Sequence, residues 1–184
     1  MTGVWWEYLA IFSATATVCV VLTPWAMRLA FRRNLLDHPG GHKSHDTAVP
    51  YLGGVSIVAT FSLMVVLISL IWPPHSGLRE LLVVLAMAVF LALVGLADDV
   101  RQVSPLWRIV AEIVAAVAIW SVGTGAIVTA SEPVNMGLTI LWFVGITNAF
   151  NLLDNMDGLA AGLAAIASLT IFAIATTNGQ FLVA

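Results

Sequence analysis

The sequence predicts an all-α, polytopic helical membrane protein with about six transmembrane helices. Hydrophobic residues make up 60% of the 184 residues and charged residues only 9%, and the mean hydropathy is +1.00. Soluble domains carry about 25% charged residues, so a soluble fold is excluded. Since a membrane span takes about 20 apolar residues, the chain has room for about six of them. Residues 1–184 are expected to form a single integral membrane domain.

Apolar runs separated by polar stretches define the expected spans. They cover residues 4–31, 53–72, 81–97, 106–122, 136–151 and 159–177. Pro24 is expected to kink the first span or to end its regular part, because proline has no N–H to donate. The intervening residues 32–50, 101–105 and 123–133 are expected to be loops, since they concentrate glycine, proline and polar side chains.

The distribution of Lys and Arg predicts the orientation. If the spans alternate in direction, Arg79 falls on one side of the membrane. The other side receives Arg28, Arg32, Arg33, Lys43, Arg101 and Arg108. Because cytoplasmic loops carry the excess of positive charge, the second side is predicted to be cytoplasmic. The 32–50 loop, Asp98–Asp99 and the acids near residue 155 then meet at one cytoplasmic face.

Acidic and amide side chains between the last two spans are the strongest candidates for a site. Asp154 and Asp157 lie among Asn148, Asn151 and Asn155, and carboxylates are costly beside a bilayer unless they have a function. If the helix continues, Asn151, Asp154 and Asp157 share a face, whereas Asn148 turns away and is structural. The alternative is an acidic helix end that Asn residues cap and Gly158 terminates.

Asp98 and Asp99 form the second acidic group. Neighbouring helical residues point about 100° apart, so both can bind one ion only if the helix ends there. Otherwise one of them supports the other. All-oxygen ligation suits Mg²⁺ or Mn²⁺, and the lack of His or Cys at metal-ligand spacing argues against zinc. Glu112, inside the fourth span, is either a buried partner of a base or a functional acid.

The 32–50 loop offers positive charge at the membrane surface. Arg32 and Arg33 fit the ordinary cytoplasmic excess of basic residues. Lys43 and His45, between Gly40–Gly41 and a Val-Pro turn, are expected to bind phosphate. The small residues around Gly158 and Gly162 are expected to form a packing face of the last helix.

Three motifs, in this order, resemble the amino-terminal half of the polyprenyl-phosphate N-acetylhexosamine-1-phosphate transferases. They are D-H-P-G-G-H-K-S-H-D-T-A-V-P-Y-L-G-G at 37–54, G-L-A-D-D at 95–99 and N-A-F-N-L-L-D-N-M-D-G-L-A-A-G at 148–162. The resemblance implies catalytic roles for the four acids Asp98, Asp99, Asp154 and Asp157, of which the last three would also hold the metal. It implies that Lys43, His45 and Asn151 bind the lipid phosphate or substrate.

The same resemblance implies the reaction and its setting. A polyprenyl phosphate would attack a UDP-N-acetylhexosamine, most similar to the branch that uses UDP-N-acetylglucosamine, with Mg²⁺ (or Mn²⁺) as cofactor. The protein would lie in the bacterial plasma membrane with its site facing the cytoplasm. Nucleic acid is not an expected partner, and a homodimer is the oligomer considered. The alternatives are the branch that transfers a muramyl-pentapeptide phosphate and a Mg²⁺ transporter.

Members of this family are roughly twice as long and carry a later His-rich loop, whereas all four His of this chain lie before residue 76. We therefore expect the 184 residues to hold the metal and lipid-phosphate half of the site, and not to turn over alone.

Overall fold

The computed structural model describes residues 5–37, 49–74, 76–101, 103–154, 156 and 158–179. Within these residues the chain forms six helices and one two-stranded antiparallel sheet. In chain order the elements are α1 (Trp5–Arg33), β1 (Leu36–Asp37), β2 (Val49–Pro50), α2 (Gly53–Ile71), α3 (Leu78–Arg101), α4 (Pro105–Ser121), α5 (Glu132–Leu153) and α6 (Leu159–Thr177).

The all-α, multi-pass membrane fold is confirmed. Five of the described helices are long and apolar enough to cross a membrane. The remaining one, α4, has 17 residues, which is the lower limit of the lengths that span a bilayer. The predicted spans at 53–72 and 159–177 agree with α2 and α6 to within one residue.

Three other predicted spans, 4–31, 81–97 and 136–151, differ from the observed helices by up to four residues at an end. The helix α3 continues four residues beyond the expected end at residue 97, to Arg101. The helix α5 begins at Glu132 and places Pro133 in its first turn, where the missing N–H is not needed. Hydropathy does not detect polar residues that extend a helix, because it marks the end of the apolar run and not the end of the backbone hydrogen bonds.

Pro24 does not end α1. The helix continues through it to Arg33, and thereby takes in the basic pair that the sequence placed in a loop. Beside the proline, the Thr23 hydroxyl donates to the Cys19 carbonyl at 2.8 Å. The 32–50 stretch also contains β1 and β2, which pair Leu36 with Pro50.

The structure divides into two compact units. The first contains α4 from Ile109 onward, α5 and α6. The second contains α1 from Tyr8 onward, α2 and α3 from Leu85 onward. The prediction of one integral membrane domain stays a prediction.

In the second unit, α1 and α2 meet through hydroxyl side chains. The Oγ atoms of Thr23 and Ser56 lie 3.0 Å apart, and Ser56 also donates to the Gly53 carbonyl at 2.7 Å. The two hydroxyls have three possible acceptors: the Cys19 carbonyl, the Gly53 carbonyl and each other. Because the two hydroxyls have only two hydrogens, the three hydrogen bonds cannot all form at once. Small polar residues allow such close approach where lipid removes the hydrophobic driving force between helices.

In the first unit, α4 buries a face of small residues. Ala111, Ala115 and Ala116 are buried together with Glu112. The helix α6, in contrast, is exposed along residues 161–171. The small-residue face expected to pack there has no neighbour among the described residues at Gly162, where an added Cβ would meet nothing within 4 Å.

Candidate active site

Asp98 and Asp99 lie in the last turn of α3, within the second unit. Because the helix runs on to Arg101, the two carboxylates point in different directions, as adjacent helical residues must. Asp98 is half-buried, with 22% of its side chain exposed, whereas Asp99 is exposed. The condition under which both could bind one ion, a helix that ends at the pair, is not met.

Asp98 forms an ion pair with Arg108. The guanidinium Nη1 donates to Asp98 Oδ2 at 3.0 Å, and 26% of the arginine side chain is exposed. Sequence reasoning assigned Arg108 only to the positive cytoplasmic side. The ten-residue separation across a turn gave no periodic signal, so this partner could be found only in the folded chain.

The start of α4 positions Arg108. Pro105 is the first residue of the helix, a position that suits its fixed φ. The N–H groups of Trp107 and Arg108 donate to the Ser104 carbonyl at 2.9 and 3.5 Å. The arginine therefore leaves the first turn of α4 and reaches back to the last turn of α3.

Asp154 and Asn151 lie at the end of α5, in the first unit. The helix ends at Leu153, and the N–H of Asp154 donates to the Phe150 carbonyl at 3.0 Å. Both side chains are exposed. The continuous helix on which Asn151, Asp154 and Asp157 would share a face is not observed, because α5 ends with Asp154 as its C-cap and Gly158 follows at φ +74. Asp157 itself lies outside the described residues.

Asn148 is a structural residue, as its position on the helix predicted. Its Nδ2 donates to Glu112 Oε2 at 2.5 Å and to the Val144 carbonyl at 2.9 Å. Both amide hydrogens are therefore used, and one of them joins α5 to α4. Glu112 is 5% exposed. Of the two alternatives for Glu112, the buried partner of a base is not what the described residues show, since its partner there is the Asn148 amide.

Lys43 and His45, which are expected to bind phosphate, lie outside the described residues. The ends of their loop are described. Asp37 pairs with Val49 in the β1–β2 ladder, and the N–H of Tyr51 donates to the Leu35 carbonyl at 3.2 Å. The two ends of residues 38–48 are thus joined at the C-terminal end of α1.

The donor set fits a hard divalent cation in its chemistry. Asp99 and Asp154 are exposed carboxylates near the C-terminal ends of two helices. The partial negative charge of a helix C-terminus disfavours an acid and favours a cation, so acids at these positions gain from a bound metal. Among the described residues no three His, Cys, Asp or Glu side chains come together, and the predicted ligand Asp157 is not one of them.

An open cavity of about 530 Å³ lies in the first unit, and Trp120, Ile127, Glu132 and Asn135 are among its lining residues. Trp120 and Ile127 precede α5, and Glu132 and Asn135 lie near its start, whereas Asp154 follows its end. A 22-residue helix is about 33 Å long, so this cavity is remote from the acid.

The apolar helices define a multi-pass membrane protein. Residues 81–184 match the family model of glycosyl transferase family 4. The chain belongs to this family.

Three relatives illustrate the match. A probable undecaprenyl-phosphate N-acetylglucosaminyl 1-phosphate transferase of Bacillus subtilis is 31% identical over 181 residues, which cover 94% of this chain and 49% of the relative. The undecaprenyl-phosphate alpha-N-acetylglucosaminyl 1-phosphate transferase of Thermotoga maritima is 33% identical, covering 90% and 50%. A phospho-N-acetylmuramoyl-pentapeptide-transferase of Bacillus velezensis is 26% identical, covering 94% and 59%.

The chain thus spans about half the length of the first two relatives. No solved structure matches it.

Proposed function

We propose that this chain supplies part of the active site of an enzyme that transfers N-acetylglucosamine-1-phosphate from UDP-N-acetylglucosamine to a membrane polyprenyl phosphate. The observation that carries the proposal is the match of nearly the whole chain to transferases named for this reaction, at 31% and 33% identity. The transferase named for the muramoyl-pentapeptide is less similar, at 26%, which favours the N-acetylglucosamine branch.

The reaction is a phosphoryl transfer. An oxygen of the polyprenyl phosphate forms a bond to the β-phosphorus of the UDP-sugar, and the bond from that phosphorus to the bridging oxygen breaks. The products are polyprenyl-diphospho-N-acetylglucosamine and UMP. A phosphate monoester has a second pKa near 6, so the acceptor is mostly dianionic at neutral pH and a strong general base is not needed.

Positioning and charge balance are the tasks left to the protein. Asp99, Asp154 and Asp157 would hold Mg²⁺ or Mn²⁺, which when bound neutralises the diphosphate. Lys43 and His45 would bind the acceptor phosphate, and Asn151 the substrate. Asp98 would act with its carboxylate directed by Arg108, whose Nη1 lies 3.0 Å away.

The site is proposed to face the cytoplasm of a bacterial cell, from the six-to-one division of Lys and Arg between the two sides. This orientation requires α4 to cross the membrane with its 17 residues. It would give the enzyme access to a cytosolic nucleotide sugar. A homodimer is the assembly proposed.

The test uses membranes from cells that express the gene encoding this chain. They are supplied with polyprenyl phosphate, Mg²⁺ and a panel of labelled UDP-sugars, and the release of UMP is measured. UMP and a labelled lipid with UDP-N-acetylglucosamine are expected. Release with UDP-MurNAc-pentapeptide alone would place the protein in the other branch. Cation uptake by liposomes with no UMP from any donor would favour the transporter alternative.

A further inference from the structure

The connection between α4 and α5 folds back along α5. Asn135, one turn inside that helix, accepts at its Oδ1 from the N–H groups of Val128 and Thr129 at 3.1 and 2.9 Å. Its Nδ2 donates to the Thr129 carbonyl at 2.8 Å. Asn135 is 5% exposed, so one buried amide holds two successive residues of the connection.

The Thr139 hydroxyl provides a second attachment, one turn further along α5. Thr139 accepts at its Oγ1 from the N–H of Ala126 at 3.0 Å and donates to the Asn135 carbonyl at 2.9 Å. The chain comes so close here that a Cβ on Gly125 would lie 2.5 Å from the Trp120 ring and 2.9 Å from Thr139 Oγ1. Only glycine fits at that position without movement of its neighbours.

These contacts place residues 126–129 level with the first two turns of α5. Thr139 lies seven positions after Glu132, about 10 Å along the helix axis. The helix α5 is about 33 Å long and the hydrocarbon core about 30 Å thick. A helix of this length crosses the hydrocarbon core with its first two turns near one edge, so residues 126–129, which bond to Asn135 and Thr139, are expected at that edge.

The two sides of this segment differ in chemistry. Three of its N–H groups face α5 and are satisfied by side chains, as irregular backbone at membrane depth requires. Its apolar side chains are open: Ile127 and Val128 are 82% and 72% exposed, and Ile127 also borders the cavity that Glu132 and Asn135 line. Two large β-branched side chains in water would be unfavourable, whereas among acyl chains they lose contact with water.

We propose that residues 126–129 form a membrane-contacting segment, with the side chains of Ile127 and Val128 inserted into the lipid at the boundary of the bilayer. Asn135 and Thr139 support this insertion, because they replace water at three of the segment's N–H groups and at the Thr129 carbonyl. The segment is independent of the acids at the far end of α5, so the proposal does not rest on the proposed reaction.

The test is a set of spin labels on the whole protein, reconstituted in vesicles of phosphatidylethanolamine and phosphatidylglycerol. In a Cys19→Ser background, Ile127→Cys and Val128→Cys carry the label. Collision with oxygen, which concentrates in lipid, is compared with collision with a water-soluble nickel chelate. Trp142→Cys, 71% exposed on α5, is the lipid-facing reference, and the exposed Glu132→Cys is the reference for the aqueous boundary.

Labels at 127 and 128 are expected to resemble the label at 142, with several-fold higher oxygen than nickel accessibility. A ratio like that at 132 would overturn the proposal, because the segment would then be in water. Low accessibility to both reagents would overturn it as well, since protein and not lipid would cover the two side chains.

A second comparison tests the attachment. Asn135→Leu removes the acceptor for two N–H groups, so the label at 127 should become more mobile and gain nickel accessibility. The matched control is Thr147→Val on the same helix, whose hydroxyl donates only to its own helix, at the Phe143 carbonyl. If Asn135→Leu does not insert into membranes, Thr139→Val provides the same readout from the other attachment. An unchanged spectrum in the variant that inserts would show that these side chains do not hold the segment.

Discussion

Neighbouring acids of this chain have different surroundings, and so different consequences when they are changed. Asp98 is half-buried against Arg108, whereas Asp99, one position later, is exposed. A 100° rotation between successive helical residues causes this difference. Asp154 is exposed too, but it follows a helix that has already ended. A motif of paired aspartates thus contains one half-buried carboxylate in an ion pair and one exposed carboxylate.

Replacement of Arg108 is expected to act through Asp98. Arg108→Leu leaves a half-buried carboxylate without its described ion-pair partner, and UMP release by membranes should fall about tenfold, corresponding to about 1–2 kcal/mol. Arg108→Lys keeps the charge and should retain more activity. Equal activity of the leucine and lysine variants would show that the ion pair does not support the reaction.

Removal of the Asp154 charge is expected to abolish transfer while the protein still inserts. Asp154→Asn loses a predicted metal ligand and the associated stabilisation of the transition state, so UMP release should fall roughly hundredfold or more. Glu132→Gln is the matched control, because it removes an exposed acid from the opposite end of the same helix. Near-normal turnover of Asp154→Asn at saturating Mg²⁺ would contradict the assignment.

At the scale of elements, one polar contact joins α4 to α5. Glu112 and Asn148 are 36 residues apart in sequence, and Asn148 Nδ2 lies 2.5 Å from Glu112 Oε2. Three small residues of α4, Ala111, Ala115 and Ala116, are buried as well. A polar pair at this depth specifies which faces meet, because either side chain alone would be unfavourable against lipid.

A double-mutant cycle measures the Glu112–Asn148 contact. Glu112→Leu and Asn148→Leu should each lower the thermal unfolding temperature in detergent, and the double variant should lose less than their sum. The coupling energy is expected at about 0.6–1.7 kcal/mol, the range of interhelical hydrogen bonds in membranes. Glu112→Gln keeps an acceptor and should be close to the parent. Strict additivity of the two leucine variants would show that the contact contributes nothing.

At the scale of the whole molecule, the distribution of basic residues governs orientation. Arg79 lies near the start of α3 and Arg101 is its last residue. These two exposed residues therefore report the positions of the two ends of one helix. The proposed cytoplasmic site depends on this orientation.

Cysteine labelling from outside intact cells measures the orientation directly. In a Cys19→Ser background, a membrane-impermeant maleimide should label Arg79→Cys and leave Arg101→Cys unlabelled until the cells are opened. Both variants change one exposed arginine of the same helix, so each controls for the other. Labelling of position 101 in intact cells would reverse the topology.

Periodicity and hydropathy predicted the spans well, but they did not predict where a helix ends and a turn begins. Asn151, Asp154 and Asp157 share a face only on a continuous helix, whereas α5 ends at Leu153. Gly158, which adopts a positive φ, was the signal of a turn in that stretch. The exposed face of small residues on α6 shows a second limit of the sequence. Small residues indicate that another helix can approach closely, but they do not indicate which helix it is.

The sequence by itself determined the membrane class, the approximate positions of six helices, the family and the acids of the candidate site. These follow from apolar runs and from residue identities in order, which are local properties of the chain. Only the tertiary structure decided that Arg108 directs Asp98, that Glu112 binds Asn148, and that Asn135 holds residues 128 and 129 against α5. Each of these contacts depends on which side chains the packing of elements, or the path of a loop, brings within hydrogen-bond distance, and no single segment of sequence contains that information.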